Sequence, residues 1–135
     1  MTKHAKGTFE VKLTPQKPDN GETQSTDIDR MSIDKHFQGD LEAVSNGEML
    51  SVMTAVQGSA GYVAMESVKG TLDGRKGTFV LQHRATMARY VPQLSVTVVP
   101  DSGTGDLAGL SGTMNIKIEA GKHFYEFEWT LPSEP

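Results

Sequence analysis

Polar and apolar residues alternate along most of the chain with a period of two, which is the mark of β-strands with one buried and one wet face. Phe9, Val11 and Leu13 alternate with Glu10, Lys12 and Thr14, and Pro15 and Pro18 then open a polar loop expected to run through 15–27. Met31, Ile33 and Phe37 continue the pattern, with Lys35 on the apolar parity and therefore placed near a barrel mouth. Leu41 and Ala43 lead into Asn46-Gly47, which reads as a hairpin turn because a type I′ turn needs φ > 0 at both positions; Leu50, Val52 and Val56 follow.

Gly61 to Asp73 and Gly77 to Met87 predict two long strands joined by a turn at Gly74-Arg75. The glycine- and proline-free stretch from Thr78 to Val91 is compatible with a helix, but the alternation Phe79, Leu81, His83, Ala85, Met87 favours a strand. Gln93 to Val99 is a β-branched run stopped by Pro100. Met114, Ile116 and Ile118 lead to an Ala120-Gly121 turn, and Tyr125, Phe127, Trp129 and Leu131 form the last strand. With eight or nine short strands and no helix to cover them, the sheet edges need protection. An all-β, single antiparallel barrel of about eight strands provides it, with a two-sheet β-sandwich as the alternative.

Length and composition narrow the function. A chain of 135 residues makes one domain, 1–135, with the barrel expected over 7–132. Cysteine is absent, which removes disulfide scaffolds, thiol nucleophiles and cysteine-ligated metals. The formal net charge of −4 offers no basic footprint for nucleic acid. No His-x-His or His-Glu-x-x-His spacing suggests a metal, and no cofactor is implied. No apolar segment of about 20 residues is present to span a membrane as a helix, so a cytoplasmic protein is the expectation.

Gly103-Thr104-Gly105-Asp106-Leu107-Ala108-Gly109 has the wrong glycine spacing for a dinucleotide fingerprint, and a strand follows it instead of a helix. That segment, continued through Leu110-Ser111-Gly112, resembles the glycine loop of allene oxide cyclase and dirigent barrels. Together with Gly61-Tyr62-Val63-Ala64-Met65-Glu66, Gly70 to Arg75, Phe79 to His83 and Pro92 to Gly105, it resembles an uncharacterised bacterial family, a domain of unknown function with an allene oxide cyclase-like, calycin-type barrel. The resemblance implies the fold and brings no activity. The cyclase's catalytic positions are not recognisable here.

A hairpin with Asp73 facing Lys76 sets Glu66 directly opposite His83, both on the face of Tyr62, Val68, Phe79 and Leu81. A carboxylate and an imidazole inside a barrel suit three roles: a structural pair, a clamp on a ligand, or an acid–base pair with Glu66 and His83 as candidate catalytic groups. Burial is expected to raise the Glu66 pKa, partly offset by charge on His83. Tyr62, Glu66, His83, Tyr125 and Trp129 are the candidate lining of a site for a small apolar ligand. Parity turns seven of the aromatic side chains inward: Phe9, Phe37, Tyr62, Phe79, Tyr125, Phe127 and Trp129. Such a barrel is either hollow or plugged.

Met49, Met53, Val63 and Met65 are expected outside, where an apolar cluster signals association, here a homodimer. Three functions follow: a small-molecule binding barrel, an isomerase- or cyclase-type enzyme using the Glu–His pair, or a plugged barrel acting through its oligomeric surface.

Overall fold

The structure, a computed structural model, describes residues 2–16 and 28–132. Eight antiparallel strands close into a barrel in simple up-and-down order. They are β1 (Lys3–Gln16), β2 (Ile28–Gly39), β3 (Leu41–Met53), β4 (Ala60–Leu72), β5 (Arg75–Ala88), β6 (Val91–Val98), β7 (Ser111–Glu119) and β8 (Lys122–Thr130). The expected loop begins later than its prolines suggest, because Pro15 and Gln16 still pair with Met31 and Arg30; the remainder of that loop lies outside the described residues. Closure between β1 and β8 runs from Lys3↔Trp129 to Phe9↔His123, which removes the free edges that an open sheet would expose.

Three turns differ from the sequence reading or escape it. The β4–β5 turn is Asp73-Gly74, with φ of 49° and 84°, so Leu72 rather than Asp73 begins the pairing and faces Arg75. This moves the register by two residues, which preserves every side chain's face. Asn46-Gly47 is no turn. The β2–β3 reversal comes earlier, at Gly39-Asp40, and β3 runs straight through Gly47. The β5–β6 turn, Arg89-Tyr90, has positive φ at both residues without glycine, and Tyr90 N–H donates to the Gly58 carbonyl at 2.8 Å.

One end of the barrel is plugged. Phe37, Leu41, Val68, Leu72, Phe79, Leu81, Phe127 and Trp129 are each at most 1% exposed, and the Phe79 and Phe127 rings stack at 5.9 Å. Burial of each such side chain contributes about 1.5–3 kcal/mol. The glycine loop closes this end: a short 3-10 turn at Gly105–Leu107 directs Leu107, and then Leu110, into the core. Thr104 N–H ties the loop to the Thr78 carbonyl at 2.8 Å.

Among the described residues the other end carries no comparable plug. Of the same residues, β6 and β7 share the Thr97↔Thr113 pairing alone, which makes this the most weakly paired seam of the closed barrel. Leu13, Met53, Met87, Leu94 and Ile118 lie on the core-facing parity of their strands, yet all are exposed. The barrel is thus plugged below and cup-shaped above.

Candidate functional site

Midway along the barrel, four consecutive strands each direct a polar side chain inward: Lys35 from β2, Ser45 from β3, Glu66 from β4 and His83 from β5. All are buried, Glu66 completely. Lys35 pairs directly with Ser45 across β2 and β3. The strand opposite Glu66 is occupied by Leu81 rather than His83, so the carboxylate and imidazole meet diagonally on one face.

The geometry is compact. His83 Nε2 lies 2.7 Å from Glu66 Oε1, Lys35 Nζ donates to the same oxygen at 3.1 Å, and Ser45 Oγ–H donates to Oε2 at 2.5 Å. The Lys35 ammonium also sits 4.6 Å from the centre of the Phe9 ring, a cation–π placement that compensates lost hydration. Burial alone would raise the Glu66 pKa. The His83 hydrogen bond, the Lys35 charge and the Ser45 hydroxyl outweigh it and hold the carboxyl below its ordinary 4.5. This reverses the expected direction, because two of the three donors, Lys35 and Ser45, were not paired with Glu66 in the sequence reading.

An ionised Glu66 fixes the neighbouring imidazole. Nε2 carries the proton toward the carboxylate, which leaves Nδ1 of a neutral His83 as an acceptor. Among the described residues no hydrogen-bond partner reaches that nitrogen or the Tyr62 hydroxyl. The Tyr62 ring stands beside His83, with centroids 6.2 Å apart, and its pKa is raised by burial and by the Glu66 charge.

Tyr62 also borders a cavity of about 290 Å³ at the open end, whose wall includes Met49, Met53, Ala85, Met87 and Leu94. Met49 and Met53 are therefore inside the barrel mouth and do not join Val63 and Met65 on the outer face. The cause is Gly47: with no turn there, the odd-numbered residues of β3 keep the inward face set by Leu41 and Ala43.

Tyr125 and Trp129 are buried but do not line this cavity. The Tyr125 hydroxyl accepts from Leu41 N–H at 2.9 Å and donates to the Gln38 carbonyl at 3.0 Å, fastening the β2–β3 turn. Burial, with the charges of Asp40, Glu42 and Asp73, pushes its pKa up to about 12 against the opposing Leu41 hydrogen bond. Trp129 faces Lys3 at the plugged end, with Lys3 and Arg75 cations over its ring at 5.6 and 5.4 Å.

The profile of a family described as "Protein of unknown function (DUF3224)" matches residues 5–129. The chain belongs to the DUF3224 family. It is similar to a solved DUF3224 protein of unknown function from Shewanella oneidensis MR-1, with 52% identity and a TM-score of 0.90 over 100% of this chain and 99% of that one. Among curated proteins nothing matches. No helix among the described residues is long and apolar enough to cross a membrane, and no group of three or more potential ligands there is arranged to hold a metal ion.

A pH measurement probes the Glu66 assignment in this DUF3224 barrel. Its lowered folded-state pKa stabilises the fold fully above the ordinary value of 4.5, and that contribution is lost as pH falls through the lower folded value. Urea midpoints measured against pH are expected to fall more steeply below 4.5 for the native protein than for Glu66→Gln. Parallel profiles would mean that Glu66 is not held ionised.

Proposed function

We propose that this barrel binds a small, mainly apolar molecule in its open end, with Tyr62 on the cavity wall and His83 beside the Tyr62 ring as the nearest buried polar group. The observation that carries the reading is that core-facing side chains, Met87 at 39% and Leu94 at 43% exposure among them, surround a cavity instead of filling it. The wall is almost wholly apolar, which suits a small molecule whose surface is mainly hydrocarbon. Glu66 holds the Nε2 proton of His83, so a ligand that reaches past Tyr62 to Nδ1 is favoured when it presents a hydroxyl or N–H donor.

Glu66 is better suited to orienting His83 than to acting as a base. A carboxylate that already accepts from three groups, with its pKa lowered, has little proton affinity to offer.

Fluorescence titration with naphthol, and with naphthalene as the hydroxyl-free control, tests the proposal. Naphthol is expected to bind more tightly, and Ala85→Phe, which fills the cavity, is expected to weaken it by at least about tenfold, roughly 1.4 kcal/mol, with an unchanged circular dichroism spectrum. Equal binding by Ala85→Phe, or no binding of either probe by the native protein, would overturn the reading.

A further inference from the structure

Methionine is concentrated at one place in this barrel. Of the seven methionines in the chain, Met31, Met49, Met53 and Met87 lie on the inner face of the open end. Met31 pairs directly with Met49 across β2 and β3, and Met53 and Met87 flank Ala60 from the strands on either side of β4. Ala60 has only a methyl group to set between them, so Met53 and Met87 border the mouth of the cavity that Met49 and Tyr62 continue.

Exposure grades these sulfurs. Met53 is 79% exposed and Met87 39%, whereas Met31 and Met49 are half-buried. Two other described methionines lie away from the cavity: Met65 is 51% exposed on the outer face of β4, and Met114, at 3%, is packed in the core.

One oxygen atom turns an apolar thioether into a polar sulfoxide. With hydrogen peroxide the sulfur attacks one peroxide oxygen: an S–O bond forms, the O–O bond breaks, sulfur loses two electrons and the other oxygen leaves as water. Two sulfoxides at the mouth of a wall that is otherwise almost wholly apolar replace hydrocarbon contact with groups that demand hydration.

We propose that Met53 and Met87 are peroxide-oxidation sites whose conversion to sulfoxide makes the cavity release its ligand. The switch rests on the ligand-binding reading of the cavity and adds its regulation. It is reversible, because enzymes reduce methionine sulfoxide back to the thioether.

Peroxide treatment, peptide mass spectrometry and naphthol titration after removal of the peroxide test it together. Oxidation is expected at Met53, Met65 and Met87 ahead of Met31 and Met49, with Met114 protected, and naphthol affinity is expected to fall at least about fivefold with an unchanged circular dichroism spectrum. Each variant is compared with its own untreated sample. Met53→Leu/Met87→Leu is expected to keep its affinity through the treatment, and Met65→Leu to lose affinity as the native protein does. Equal binding before and after Met53 and Met87 are oxidised, a loss that persists in Met53→Leu/Met87→Leu, or Met53 and Met87 left intact while Met65 is oxidised would overturn the switch alone. Untreated native protein that binds no naphthol would overturn the ligand reading and the switch with it.

Discussion

Glu66→Ala is expected to destabilise the barrel by about 3–5 kcal/mol, because it leaves the Lys35 ammonium buried without its counter-charge. Lys35 has no second counter-charge beside it among the described residues: its side chain is 6% exposed, and its ammonium otherwise lies over the Phe9 and Phe37 rings. Lys35→Met/Glu66→Leu is expected to recover most of the loss, since removing both charges also removes their desolvation cost. His83 and Ser45 then lose their shared acceptor, at about 1–3 kcal/mol for each buried group left unsatisfied, which keeps the recovery incomplete. Urea unfolding of native, single and double variants gives the comparison. A Glu66→Ala loss under about 1 kcal/mol would show that Lys35 finds solvent or another partner easily, and that the four side chains do not act as a unit.

Alternation proved sufficient to read the fold and the face of most side chains, and this explains which parts of the site were visible beforehand. The β4–β5 turn was displaced by one position, yet the two-residue change in register kept Glu66 and His83 on the inner face, where they still bond diagonally. Lys35 carried its own signal, a lysine on an apolar parity, but its partner lies 31 residues away and only barrel closure brings them together. Ser45 was hidden by the turn assigned beside it. Parity also says nothing about level along the barrel axis. Tyr125 and Trp129 were grouped with Glu66 because they face inward, whereas the strand pairings set Trp129 opposite Lys3 at the plugged end.

Gly47→Ala is expected to be the most damaging of three glycine substitutions, and the reason is the same feature that misled the turn assignment. A β-carbon at Gly47 would collide with the Met65 carbonyl and lie 2.8 Å from Glu66 Cα, so β3 and β4 would have to separate beside the carboxylate. Overpacking of this kind costs about 1–3 kcal/mol or more. Gly74, at φ of 84° with nothing within 4 Å of an added β-carbon, should lose about 1 kcal/mol as alanine through backbone strain alone. Gly61, whose nearest neighbour would be 3.6 Å away, should change by no more than about 0.5 kcal/mol. The Asn-Gly pair therefore serves close strand approach rather than chain reversal, and Gly47 is the position from which β3 delivers Ser45 to Glu66. Chemical denaturation of the three variants checks the order, and the His83 imidazole resonances, followed by NMR, are expected to shift in Gly47→Ala and to stay in place in Gly74→Ala. If Gly47→Ala is as stable as Gly61→Ala, the close approach of β3 to β4 at the site is wrong.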